Sequence, residues 1–483
     1  MLIAGCLLVI VAAAAFFRFV DLGVNPGGLY MDEASEGLSA QRILHDPSYR
    51  PVFLPEGGGR EALFAYLVAG VFRFAGETAV ALRATAAGIG VVAVFGVWIL
   101  ARRFGVVAGL IASAWAAGSL WLICVSRDGM RNTLVPLFAA IAFASLLAWQ
   151  DRPGRTTAIL AGVTTSVAAL YTYQPLKLIP LLLVLWLLWL RRVNRPAYAA
   201  MRPTFLAFAA AFLVVAAPMV AAAAADPVSY FGRAAGVAFG PESGNDLVGH
   251  LLRTLGMFAI TGDPNPRHDV AQLPLLGWPL FVVAAFGVRR LLRHSRDPAH
   301  ALLLWSLPVF LLPPLIATEG GAPHFLRALG LAAPLAVTIG LGVSELRDQV
   351  HTRWGNGPAR VLLVVAAVAM LIVGAGSARA SLQRSVADRY DAFRYDLVAM
   401  AEAAKPADTV ILDDYRATVI RFLAAQHLPE IVAPGTPILP ARGRVFAVSR
   451  DDLRVALGSD AARRAVPLAE DPAGKPTVWV VVP

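Results

Sequence analysis

Charge is scarce in this chain. Only 15% of its 483 residues are Asp, Glu, Lys or Arg, while 58% are hydrophobic and the mean hydropathy is +0.64. Soluble domains carry about a quarter charged residues, so a soluble globule is excluded and a polytopic membrane protein is expected. Cysteine is nearly absent: Cys6 and Cys124 both sit in apolar runs, where a thiol packs rather than forming a disulfide framework or metal site. No tight ligand spacing such as H-x-x-x-H occurs, which removes the helical zinc-protease pattern. No internal repeat is evident, which argues against carriers built from duplicated halves. Leu2 to Cys6 has the look of a lipoprotein box. Those few residues cannot supply a signal's basic and apolar regions, so the first run reads as an uncleaved anchor.

What the chain does have is a series of apolar runs. Candidate membrane helices cover 2–20, 79–101, 105–123, 133–150, 157–172, 175–190, 203–224, 275–291, 300–317, 326–343 and 361–377, or about 11 spans. The net charge of +10 comes from arginines in the short connections: Arg102-Arg103, Arg152 and Arg155, Arg191-Arg192, Arg289-Arg290 and Arg347 to Arg360. Such clustering is the positive-inside signature, not a nucleic-acid surface. It places the N-terminus in the cytoplasm, and the loops beginning at Asp21, Ser126, Tyr171, Asp226, Thr318 and Ser377 outside. The segment Glu61 to Ala75 is apolar but short and carries Arg73. Counting it as a span would turn every basic pair outward, so it reads as an interfacial helix. A second short helix is expected over Ala34 to Leu44, directly after an acid pair. From residue 378 to 483 charge density is ordinary and an α/β pattern appears: strands at 409–413, 444–448 and 477–482, and a helix at 417–426. At roughly 100 residues this part is large enough to fold alone.

The stretch Gly23 to Gly37 places Asp32, Glu33 and Glu36 just beyond the first apolar run. Carboxylates at a membrane boundary are disfavoured unless paired or functional. The other outward loops add polar groups of a selective kind: Arg60 and Glu61; Arg127, Asp128 and Arg131; Tyr171, Tyr173, Gln174 and Lys177; Asp263, Arg267 and His268; Glu319, His324 and Arg327. One face thus offers carboxylates, phenols and cations, and the inner face little but arginine. This asymmetry suits chemistry at the outer surface better than a pore, whose polar groups belong near the midplane.

Sugar transfer from a lipid-linked phosphate would use such a set. Arg and Lys bind the phosphate, a carboxylate takes the proton of the attacking hydroxyl, and cations stabilise the departing phosphate. Asp32 is the candidate base, with Glu33 assisting. Lys177, Arg127, Arg131 and Arg327 are candidates for the phosphate, and Arg60, Glu61, Asp128, Tyr171, Tyr173, Gln174, Asp263, Arg267, His268, Glu319 and His324 complete the substrate-binding set. Each has a structural alternative. Asp32 and Glu33 suit a helix N-terminus, Arg127, Asp128 and Arg131 can pair together, as can Arg60 with Glu61, and Tyr173 and Lys177 can anchor at the interface. No obligatory cofactor is expected, since arginines alone handle a monophosphate; the alternative is a divalent metal at Asp32/Glu33, joined by His268 or His324.

These features resemble the polyprenyl-phosphate-dependent glycosyltransferases of the GT-C fold, and within them glycosyltransferase family 39, which includes protein O-mannosyltransferases and aminoarabinose transferases. The resemblance covers roughly residues 1–345. It rests on a membrane helix followed by an outer loop bearing Asp32-Glu33, a series of spans and a soluble C-terminal part, with similar stretches at Ser126–Asn132, Gly262–Asp269 and Glu319–Arg327. It implies that Asp32 is the base or acceptor-orienting residue. The acceptor-binding insertion of the eukaryotic protein mannosyltransferases is missing.

The expected protein is therefore an all-α polytopic membrane domain of GT-C type (residues 1–377, first outer loop about 21–78) with a small extracytoplasmic α/β domain (378–483). It would sit in the cell's inner (plasma) membrane as an inverting glycosyltransferase. Its partners would be a polyprenyl-phosphate sugar donor, an extracytoplasmic acceptor and the bilayer, not nucleic acid. The alternatives are a transporter or flippase of a lipid-linked sugar, and a scaffold that recruits partners through 378–483.

Overall fold

The computed structural model describes residues 2–56, 59–232, 246–384, 386–438, 443–471 and 474–482. Each of the expected apolar segments falls on helix. The first is Leu2–Phe19, and Ala79–Ala101, Leu134–Asp151, Arg155–Tyr171, Ile179–Val193, Phe205–Ala225, Gly277–Arg293, Pro298–Ile316, Ala332–Trp354 and Asn356–Leu382 follow. The segment expected at 105–123 is broken. Val106–Gly118 and Leu120–Arg127 meet at an angle of 54° at Ser119, whose backbone is extended. Glycine and serine commonly mark such kinks, and here Gly118 also packs directly on the Gly374 backbone. By length and composition, 6 described helices could cross a membrane, or up to 7 with the bent pair counted as one.

The helical core is built around Ala332–Trp354, whose residues from Ala332 to Glu345 are all buried. Small residues let its backbone approach its neighbours. A Cβ on Gly340 would lie 2.3 Å from the Ala108 carbonyl oxygen, the kind of close contact by which helices pack in lipid. By contrast Phe205–Ala225 and Asn356–Leu382 leave most of their apolar side chains exposed, as lipid-facing helices do.

Two elements carry the first long loop. Helix Met31–His45 begins one residue before the acid pair instead of after it, because Tyr30 serves as its N-cap and donates its backbone N–H to Glu33 Oε2 at 3.2 Å. Asp32 and Glu33 thus both occupy its first turn, where carboxylates favour the helix end. Helix Leu63–Ala75 buries Phe64, Val68 and Phe72 and leaves Phe74 exposed. Its buried face is covered by protein: Phe72 stacks on Phe422 with ring centroids 6.1 Å apart.

The C-terminal part is a five-stranded sheet in the order Glu430–Val432, Thr409–Ile411, Val445–Ala447, Pro476–Val481, Val466–Glu470. The first two neighbour pairs are parallel and the last two antiparallel. The strands expected at 409–413, 444–448 and 477–482 are present. Glu430–Val432 and Val466–Glu470 carry the exposed and half-buried residues of edge strands, which gives them no apolar alternation to read. Helix Asp414–Leu423 docks on Met31–His45 so closely that a Cβ on Gly37 would meet the Phe422 ring at 2.5 Å. Leu29, Ala34, Phe64, Leu82, Ile420, Phe422 and Phe446 share one core. The sheet and the first loop are one packed body, and this brings residues of the C-terminal part onto Asp32.

Candidate active site

A cavity of about 440 Å³ opens beside the start of helix Met31–His45. Asp32, Arg131, Tyr173, Gln174, Arg267, His268, Glu319, His324 and Arg327 line it, together with Met130 and Asn265. Five of the polar loops meet here, those that hold Asp32, Arg131, Tyr173, Arg267 and Arg327. Asp32 is half-buried and accepts a hydrogen bond from the Tyr415 hydroxyl at 2.9 Å. In the same lining, Arg267 lies over the Tyr30 ring with its guanidinium carbon 3.5 Å from the centroid, a cation–π contact that fixes the charge without neutralising it. Arg327 donates to the Ala317 carbonyl at 2.6 Å. Two carboxylates, Asp32 and Glu319, and three guanidiniums, Arg131, Arg267 and Arg327, therefore line one space, with Tyr173 and Gln174 beside them.

The remaining predicted residues support this wall from behind. Glu33 is fully buried: Arg83 donates to its two oxygens at 2.8 and 2.9 Å, and Gly129 N–H adds a third bond at 2.9 Å. Burial alone would raise its pKa, but the Arg83 charge and these hydrogen bonds hold it below the usual carboxylate range. The expectation that Glu33 assists at the substrate is thereby corrected; it ties the first loop to helix Ala79–Ala101. Arg127 likewise does not line the cavity, and its guanidinium is committed to the carbonyls of Phe17, Arg18, Val20 and Asn25. Asp128 is buried beside Glu33 and Arg83, and burial lifts its pKa to about 7. Tyr171 donates its hydroxyl to the Val215 carbonyl at 2.7 Å and does not line the cavity.

Arg131 lines the cavity, yet its charge is shared. It pairs with Glu36 and with Glu61, each at 3.1 Å; Arg60 also reaches Glu36 at 3.4 Å and Lys177 reaches Glu61 at 3.0 Å. Lys177 sits 4.6 Å over the Tyr230 ring as well. Arg60 and Glu61 thus belong to one buried lattice in which three cations face two carboxylates, so a positive balance is held behind the cavity wall. Pairing Arg60 with Glu61 alone is not what the fold does.

Asp263 is buried and accepts from Asn265 N–H at 2.8 Å, Phe325 N–H at 2.7 Å and His268 Nδ1 at 2.9 Å. The metal alternative at Asp32/Glu33 does not survive the Glu33–Arg83 pair, which turns Glu33 out of reach of any ion held by Asp32. Among the described residues, the carboxylate and imidazoles that do converge are Asp263, His268 and His324.

Tyr30, Arg83, Asn265 and Tyr415 were not among the candidates. Arg83 had a signal: it is a charge inside an otherwise apolar run, and such residues rarely lack a partner. Tyr415 had none, because nothing local in 409–426 indicates that this helix reaches the first loop.

Asp269, next to His268 in the chain, is buried, and burial pushes its pKa up to about 7. A carboxyl whose folded pKa is raised binds its proton more tightly folded than unfolded, so its contribution to stability falls as pH rises from about 4 to about 7 and stays low above that. Asp269→Asn, which cannot ionise, should therefore gain roughly 2 kcal/mol on the wild type between pH 5.5 and 8.5. Thermal unfolding in detergent at the two pH values measures this, and equal shifts in both proteins would refute it.

No family model matches the chain, and no curated protein matches its sequence. Solved structures do match its fold. ArnT from Cupriavidus metallidurans superposes with a TM-score of 0.65 at 12% identity, covering 99% of this chain and 98% of that one. The same protein bound to undecaprenyl phosphate gives 0.63 at 13% identity with the same coverage. The oligosaccharyltransferase AglB from Archaeoglobus fulgidus, in complex with an inhibitory peptide and a dolichol-phosphate, gives 0.61 at 14% identity over 100% of this chain and 74% of that one. The chain has the GT-C fold that these glycosyltransferases share.

Proposed function

We propose that the chain is an integral membrane, inverting glycosyltransferase of the family 39 kind, moving a sugar from a polyprenyl-phosphate donor to an extracytoplasmic lipid, glycan or protein acceptor. The observation that carries the reading is the single cavity shared by Asp32, Arg267 and Arg327. The acceptor hydroxyl enters beside Asp32 and displaces the Tyr415 hydroxyl. Its proton passes to Asp32 as its oxygen attacks the anomeric carbon. The bond from that carbon to the phosphate oxygen breaks on the opposite face, so the configuration inverts. Arg267 and Arg327 take up the charge that gathers on the departing phosphate, and no cofactor is required for that step. Tyr173, Gln174 and Glu319 offer hydrogen bonds to sugar hydroxyls. The solved relatives of this fold that hold undecaprenyl phosphate and dolichol-phosphate support the donor class.

In this reading the polypeptide crosses the inner (plasma) membrane about 11 times, with the N-terminus cytoplasmic and every arginine-rich connection inside. Residues 1–377 form the membrane domain, and residues 378–483 lie outside as a cap over the cavity. Arg267→Met and Arg327→Met should each lower kcat/KM for the lipid-linked donor by ~10²-fold, with a smaller change for the acceptor. The assay is transfer by protein reconstituted in liposomes. Unchanged donor kinetics in both variants would remove the phosphate from this cavity.

A further inference from the structure

Two turns meet at the cavity. Asp263 and His268 stand between helices Leu247–Gly256 and Gly277–Arg293, and His324 stands on the turn after Pro298–Ile316. One donor atom from each lies within 4.8 Å of the others. The two imidazole rings are tilted at 41° with centroids 5.0 Å apart. His324 Nδ1 is buried and takes part in no hydrogen bond, although buried polar atoms are nearly always partnered.

We propose that Asp263, His268 and His324 bind a divalent first-row cation of the zinc class, which clamps the 262–269 turn onto the 319–327 turn. Two imidazole nitrogens and one carboxylate oxygen form a zinc-type donor set, whereas magnesium and calcium take oxygen ligands. Ligands about 2.0–2.2 Å from zinc lie roughly 3.3 Å from one another, so side-chain rotation closes the remaining distance. The cation replaces the proton that now lies between Asp263 Oδ2 and His268 Nδ1, and that proton moves to Nε2. The lone pair of His324 Nδ1 fills a third position, and the fourth opens to the cavity that both histidines line. The protonation states agree with this geometry. Burial holds both histidines below their usual pKa and hence neutral; at Asp263 burial acts upward, but His268 and the Phe325 N–H keep it ionised. The clamp fixes Arg267, next to His268, and Arg327, one turn beyond His324. The metal site stands on its own donor geometry and does not depend on the transferase reading.

The test uses the full-length chain purified in detergent, stripped with a chelator and titrated with zinc chloride against a chromophoric zinc indicator. One tight equivalent is expected, untouched by millimolar magnesium. Affinity should fall at least tenfold in His268→Ala and in His324→Ala. It should be unchanged in His294→Ala/His300→Ala, which removes the other close histidine pair, with rings 5.2 Å apart. Two measurements on the wild type guard against variants that fail to fold: a rise in melting temperature when zinc is returned, and X-ray absorption showing two imidazole ligands. No stoichiometric uptake by the wild type, uptake that survives loss of either His268 or His324 in folded protein, or uptake lost with His294 and His300, overturns the site.

Discussion

Asp32→Asn should abolish sugar transfer, lowering turnover by ~10²–10⁴-fold, the range that a positioned general base contributes. The substitution is nearly isosteric, and the amide oxygen can still accept from Tyr415, whose hydroxyl is 2.9 Å from Asp32 Oδ1. Asp32 is only half-buried and outside the buried ion-pair lattice, so the variant should melt within about 2 °C of the wild type. What it loses is the ability to take a proton. The expected pattern is therefore a fall in kcat with donor binding preserved, the mark of an interaction made in the transition state. Tyr415→Phe should be far milder, because that hydroxyl orients the carboxylate and leaves when the acceptor arrives.

The neighbouring acid should behave in the opposite way. Arg83→Met removes the partner of Glu33, together with bonds to the Pro26 and Gly28 carbonyls at 2.6 Å each. It leaves a carboxylate buried without its charge partner, which costs about 3–5 kcal/mol. Adding Glu33→Gln to Arg83→Met should recover a large part of that loss, since no uncompensated charge then remains. Thermal or denaturant unfolding of the four proteins in the cycle gives the coupling. An Arg83→Met variant as stable as the wild type, or a double variant no better than the single, would return Glu33 to the list of candidates for chemistry. The pair thus separates two adjacent carboxylates, one that reacts and one that holds the loop.

That separation shows where sequence reasoning stops. Helices were legible because apolar runs in this chain are long and bounded by arginine, and the polar loops at 126–132, 171–177, 262–269 and 319–327 were legible because each interrupts those runs with charge. Direction was not legible. Asp32 and Glu33 are adjacent on one helix turn, about 100° apart around its axis, and only the position of Arg83 decides which faces inward. Arg127 and Arg131 pose the same problem: the first is drawn onto the carbonyls at the end of helix Leu2–Phe19 and the second onto Glu36 and Glu61. Long-range docking was hidden for another reason. Tyr415 comes to Asp32 from 383 positions away, through the packing of Phe422 against Gly37 and Phe72. Nothing in either local stretch encodes that pairing.

The most direct measurement follows the fate of the sugar. Wild type and Asp32→Asn, purified in full and reconstituted in liposomes, are given a panel of radiolabelled polyprenyl-phosphate sugars and an envelope acceptor extract. For one donor, the wild type should move the label onto acceptor with inverted anomeric configuration and release free polyprenyl phosphate, while the variant should do neither. Label that crosses the bilayer still attached to its lipid, equally in both proteins and with no bond broken, would contradict the account.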